Sequence, residues 1–80
     1  MTTLTLYYRS YCGLCEEMWR ALEAQRPRLG FELAVVDVDA DPALEQAYGE
    51  RVPVLCCPDG GELFHYFIDQ TALDAYFAAR

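Results

Sequence analysis

Lysine is absent from this 80-residue chain, and its arginines are scattered, with no basic run. Nothing here neutralises a phosphate backbone, so nucleic-acid binding through a basic face is excluded. Thirteen acidic side chains against six basic ones give a formal charge of −7. An anionic bilayer would repel that charge, and no apolar run approaches the roughly 20 residues of a membrane span. The opening MTTLTLYYRSYC has no basic start followed by a long apolar run and small residues. No signal peptide is therefore expected, and the expected compartment is the cytoplasm. The low hydrophobicity of a disordered tail is missing too: 54% of residues are hydrophobic and 14% aromatic. At this length the expectation is one domain over residues 1–80, with a modest core.

What is present is a chain of short alternating elements. Thr3 to Arg9 is rich in β-branched and aromatic residues and reads as a strand. A helix is predicted from about Gly13, where Cys15, Met18, Trp19 and Leu22 share one face at i, i+3, i+4 and i+7. Pro27 and Gly30 mark its end. Glu32 to Val38 is a second strand. Asp41 and Pro42 open a short helix as N-cap and first helical residue, and Gly49 stops it after Tyr48. Val52 to Cys57 is a third strand, Pro58 to Gly61 a hairpin turn, and Glu62 to Ile68 a fourth strand. Asp69 caps a last helix that gathers Leu73, Tyr76 and Phe77 on one face. The order β-α-β-α-β-β-α makes the first two strands parallel and the last two antiparallel. An α/β fold with one mixed four-stranded sheet and helices on both faces satisfies it.

Four cysteines in so short a chain fall into two close pairs, Cys12 with Cys15 and Cys56 with Cys57. In a reducing compartment such spacing reads as redox or metal chemistry and not as a disulfide framework. The place of Cys12-Gly13-Leu14-Cys15 is decisive, because it straddles the junction of first strand and first helix. Unpaired N–H groups and the positive dipole end of a helix favour a thiolate there. A free thiol with pKa ~8.5 is then drawn down to ~7 or lower, near the optimum for attack at ambient pH. Cys12, at the junction, is assigned as nucleophile, and Cys15, one turn inward, as the resolving thiol. Arg9 adds a positive charge nearby. Adjacent strand residues point to opposite faces, so Cys56 and Cys57 do not both join one metal site easily. They are read as small core residues, His65 as a packed ring, and Met18 and Trp19 as core. Tyr11 is placed in the substrate groove. Asp37, Asp39 and Asp41 are read as a solvated edge and helix cap that disfavours anionic partners. A Pro opening the third strand is allowed, and a cis bond before it would leave Val52 free to bond an extended ligand.

The run Arg9-Ser10-Tyr11-Cys12-Gly13-Leu14-Cys15, the Val52-Pro53 step and the element order resemble the glutaredoxin-like branch of the thioredoxin superfamily over essentially the whole chain. The resemblance implies a cis Pro53 facing the disulfide and a sheet order of 2-1-3-4. It also implies first and last helices on one face and the middle helix on the other. Arg9 occupies the place of a basic residue common in glutaredoxins. The departures are specific. Gly13 and Leu14 replace the usual Pro-Tyr, and Arg51 stands where the family has Thr. Tyr66 and Phe67 replace two glycines of the glutathione site, with only Asp69 matching there. The glutathione site therefore does not carry over residue by residue, and the choice between glutathione and thioredoxin as reductant stays open.

The expected function is exchange of electrons with protein or small-molecule disulfides, with no bound cofactor and with electrons supplied by another thiol carrier. Cys12 and Cys15 would do the chemistry. Arg9, Tyr11, Gly13, Leu14, Val52, Pro53 and Asp69 would contact the substrate, and the protein would act as a monomer. The alternatives are an iron–sulfur or metal carrier and a non-catalytic binding module on the same fold.

Overall fold

In the computed structural model, which describes residues 2–79, the opening β-branched and aromatic run becomes strand β1 (Thr2–Tyr8). Leu4 and Leu6 point to one face and are fully buried; Thr3, Thr5 and Tyr7 point to the other. There follow α1 (Gly13–Leu29), β2 (Phe31–Asp37), a 3-10 turn (Val38–Ala40) and α2 (Pro42–Tyr48). The chain closes with β3 (Val54–Cys56), β4 (Glu62–His65) and α3 (Gln70–Ala78). The strands form one four-stranded sheet in the order β2-β1-β3-β4. β1 is parallel to β2, with Leu4 opposite Leu33 and Leu6 opposite Val35. β3 is antiparallel to both β1 and β4. Both the mixed sheet and its strand order are those expected.

The helix ends follow local chemistry. Asp41 accepts the Ala43 N–H at 2.9 Å with Pro42 at the first helical position, and Asp69 accepts the Ala72 N–H at 3.0 Å. α1 runs on through Pro27, which removes a single backbone bond in the last turn. It stops at Gly30, whose left-handed φ of 73° lets its N–H reach the Arg26 carbonyl at 2.7 Å. β2 begins at the next residue.

The buried side chains gather into two apolar clusters. In the first, Leu4, Leu6, Phe31, Leu55 and Phe64 meet Met18 and Leu22 of α1 and Leu73 of α3. Complete burial of each leucine contributes about 1.5–3 kcal/mol. The second cluster packs Val38, Val52 and Cys15 with Tyr7, Tyr8, and Leu44 and Tyr48 of α2. The smaller cluster thus joins Cys15 to the parts of the chain that build the site.

Four expectations need correction. β4 ends at His65, not Ile68, because Tyr66 turns the chain with a φ of 65°. β3 is confined to Val54–Cys56, since Pro53 lacks the N–H a ladder needs. Trp19 is 38% exposed and lies tilted on Tyr8; its place on the helix stripe is the margin, not the core. Cys56 is buried, but Cys57 is only half-buried: its thiol donates to the Asp59 carboxylate at 2.9 Å and braces the hairpin.

Arg51 and His65 both reach Glu62, on the open side of the β3–β4 pair. Burial pushes this carboxyl up, but the hydrogen bonds to His65 and Arg51 outweigh it, and the net shift is downward. A carboxyl lowered on folding stabilises the protein above its unfolded pKa, and that contribution is lost as pH falls through the folded value. Glu62→Gln is expected to cost about 0.5–1 kcal/mol at neutral pH. Urea unfolding curves of variant and parent should converge once the medium is acid enough to protonate the carboxylate.

Candidate functional site

Cys12 is the N-cap of α1, with extended backbone (φ −108°, ψ 107°), and its sulfur accepts the Cys15 N–H at 3.1 Å. A thiolate is stabilised by such a contact, and by the helix dipole behind it. Cys12 and Cys15 are joined as a disulfide with Cα atoms 5.2 Å apart. Cys12 is half-buried where exposure was expected, and Cys15 is 2% exposed beneath the first helical turn, so the ranking of the two sulfurs holds. Tyr11, just before the nucleophile position, is fully exposed in left-handed backbone at φ 62°. A side chain held there costs on the order of 1–2 kcal/mol.

The other two thiols are set up differently. Burial first of all pushes the Cys56 thiol up, and the Asp59 hydrogen bond does the same for Cys57. Both environments favour the unreactive thiol. Among the described residues no group of three or more His, Cys, Asp or Glu is placed to hold a metal ion.

Val52 packs against Cys15, and its peptide bond to the buried Pro53 is cis, as the resemblance implies. Among the described residues nothing bonds the Val52 N–H or C=O. Tyr66 clamps this loop at both ends. Its N–H donates to the Pro53 carbonyl at 2.9 Å, and its hydroxyl donates to the Glu50 carbonyl at 2.9 Å. The sequence marked Tyr66 only as a ring in a glycine's place; the signal was present, but the partners are at the far end of another loop.

Arg9 faces away from a free role at the sulfur. Its guanidinium donates to Asp39 at 2.7 Å, to Glu45 at 3.2 Å and to the Gly49 carbonyl at 3.0 Å. The hydrogen bonds to Asp39 and Glu45 hold its pKa above the ordinary value. Its charge is thus balanced by two carboxylates, and its geometry ties the end of β1 to both ends of α2.

These groups surround two recesses. One, of about 410 Å³, is lined by Arg9, Tyr11, Cys12, Gly13, Cys15 and Trp19 among others. The second, of about 280 Å³, runs from Leu14 along α1 to the Tyr66–Ile68 segment. Asp69 lines neither; its carboxylate is engaged by the Ala72 N–H.

The model of the glutaredoxin-like domain (DUF836) matches residues 3–78. The chain belongs to this glutaredoxin-like family. A protein from Nitrosomonas europaea, solved by NMR, is similar at 39% identity and a TM-score of 0.83, over 94% of this chain and 89% of that one. An X-ray structure from X. campestris is similar at 43% identity and a TM-score of 0.77, over 96% and 97% of the two chains. A thioredoxin variant from Halobacterium salinarum is similar at 29% identity and a TM-score of 0.68, over 98% of this chain and 73% of that one. An uncharacterized protein of Mycobacterium tuberculosis is 31% identical over 78 residues, which cover 91% of this chain and 79% of the relative. The glutaredoxin-like family thus sits within the thioredoxin superfamily, and the close cysteine pair at the head of α1 gives this member a redox-type site.

Within this glutaredoxin-like protein Arg9 is the strap between β1 and the Gly49–Pro53 loop. Arg9→Met is expected to leave the sheet intact and to speed amide hydrogen exchange at residues 49–52. The comparison is best made at low salt, where surface ion pairs hold most strongly. Unchanged exchange there would show that the strap does not hold the loop.

Proposed function

We propose that the protein is a thiol-disulfide oxidoreductase working through Cys12 and Cys15. The observation that carries this reading is the half-buried Cys12 sulfur at the N-cap of α1, taking the Cys15 N–H. In the reduced protein the Cys12 thiolate attacks one sulfur of a substrate disulfide. The substrate S–S bond breaks, its other sulfur leaves as a thiolate that takes a proton from water, and a mixed disulfide forms. Cys15 then loses its proton and attacks the Cys12 sulfur. The Cys12–Cys15 bond closes, and the first substrate sulfur leaves as a thiolate and is protonated. Two electrons have passed from the dithiol to the substrate, and a reducing thiol carrier restores the dithiol. No bound cofactor is needed.

Burial divides the labour between the sulfurs. Cys15 sits among Val38, Val52 and tyrosine rings, where a thiolate is penalised. Among the described residues no buried charged or polar side chain stands behind it to take its proton, so water does so. Cys15 therefore stays a thiol until Cys12 is capped, which keeps the two sulfurs from competing for substrate. Val52 offers its free N–H and C=O to an extended substrate segment, and Tyr11, Gly13 and Leu14 border the approach.

The engaged charges of Arg9 and Asp69 favour a carrier other than glutathione. Arg9 is already paired with two carboxylates, and Asp69 is used to cap α3. The tripeptide's carboxylates then have no ready cationic partner here.

Cys12→Ser is expected to abolish reduction of insulin or hydroxyethyl disulfide. Cys15→Ser should instead accumulate a mixed disulfide visible by mass spectrometry. The rate at which iodoacetamide alkylates Cys12 in the reduced protein should inflect below the ~8.5 of a free thiol. Turnover surviving in Cys12→Ser would remove the proposal.

A further inference from the structure

Among the described residues, the large hydrophobic side chains left exposed are Tyr11, Leu14, Trp19, Tyr66 and Phe67. All are at the disulfide end. Tyr11 and Leu14 flank Cys12, Trp19 lines the recess that holds both cysteines, and Tyr66 bonds Pro53. Phe67, 68% exposed, faces Leu14 across the second recess. Isolated exposed apolar residues are ordinary, but a cluster confined to one end marks a contact surface.

The second recess has the form of a side-chain pocket. Leu14, Glu17, Met18 and Ala21 fall at i, i+3, i+4 and i+7 and make one wall from α1; Tyr66, Phe67 and Ile68 make the other. Its volume of about 280 Å³ is at the small end for ligand sites and matches one large side chain better than a tripeptide. The rim carries a charge. Glu16 is paired with Arg20, whereas Glu17 has no hydrogen bond or ion pair among the described residues. Among the described residues no cation lines this recess. An apolar pocket with an unpaired carboxylate at its mouth repels an anionic ligand and attracts a positively charged one.

We infer that this recess is a specificity subsite for protein disulfides. It takes a large apolar side chain close to the substrate cysteine, seated between Leu14, Ala21 and Phe67, with a lysine or arginine of the same segment opposite Glu17. The inference rests on the disulfide-exchange reading above and names the substrate class for it.

The test is single-turnover oxidation of the protein, reduced beforehand with dithiothreitol and freed of it. The oxidants are peptide disulfides with Phe or Ser beside the cysteine and Lys or Glu two residues away, with hydroxyethyl disulfide and glutathione disulfide alongside. The Phe–Lys peptide is expected to react at least about tenfold faster than the Ser–Glu peptide. Ala21→Phe, which fills the recess, should bring the Phe-to-Ser rate ratio toward one. Glu17→Lys, at an exposed position, should reverse the Lys-over-Glu preference. Equal rates for all peptides, or a faster reaction with glutathione disulfide, would overturn the subsite while leaving disulfide exchange standing. Failure to react with any disulfide, hydroxyethyl disulfide included, would overturn the redox reading itself.

Discussion

The sulfur at the tip of α1 is the constraint around which the rest of the molecule is arranged. An N-cap residue must leave helical backbone while its side chain faces the first free N–H groups. Cys12 does both, with extended φ and ψ and the Cys15 N–H on its sulfur. That demand reaches back along the chain. The turn from β1 must deliver Cys12 at that angle, and Tyr11 meets it in left-handed backbone that a tyrosine rarely adopts. It also reaches forward: one turn on, Cys15 is carried into the cluster with Val38 and Val52, so a three-residue spacing separates an accessible sulfur from a buried one.

Holding that tip against the cis-Pro loop takes two fastenings from different parts of the sequence. Arg9 binds the Gly49 carbonyl and the carboxylates of Asp39 and Glu45, and so ties β1 to α2. Tyr66 grips Glu50 and Pro53 from the end of β4. Exposed ion pairs are each worth little. Their value here is geometric, since Arg9 meets three acceptors at once and the Gly49–Pro53 segment is pinned at both ends. The second left-handed residue, Tyr66, lies in this fastening. Of these two residues, Tyr11 directly precedes Cys12, and Tyr66 holds the loop whose Val52 packs on Cys15; such conformations persist where the surroundings over-determine them.

The parts of this arrangement that were legible in the sequence are those written in local pattern. The β-branched and aromatic run from Thr3 to Arg9 located β1, the spacing of Cys15, Met18 and Leu22 located α1, and Asp41 and Asp69 marked their helix starts. Cys12 and Cys15 could be ranked by position alone, because the helix tip is a local feature. Order in the sheet and the cis bond at Pro53 needed the family resemblance, since no local rule specifies either. The errors share a cause. Trp19 lies on a stripe whose margin is set by what β1 offers, and Tyr8 offers only a tilted contact. Cys57 leaves the core because its hairpin supplies the Asp59 carboxylate. The early end of β4 depends on Tyr66 finding Glu50 and Pro53, which are 16 and 13 residues away. For Arg9 the sequence offered only a charge near Cys12; its partners, 30 to 40 residues on, decide what that charge is for.

Where the family resemblance implies a glycine pair, this chain has Tyr66 and Phe67, and the proposed recognition turns on that difference. A glycine pair leaves backbone open to close approach by a small ligand. Two rings close that approach and offer instead a clamp on the neighbouring loop and an apolar wall facing Leu14. The charge balance shifts in the same direction. Arg9 is spent on Asp39 and Glu45, Asp69 on the α3 cap, and Glu17 has no partner among the described residues. Each change alone would leave recognition ambiguous. Together, in the proposed reading, they disfavour a small anionic thiol and favour an apolar segment carrying a cation, with the redox pair itself unaltered.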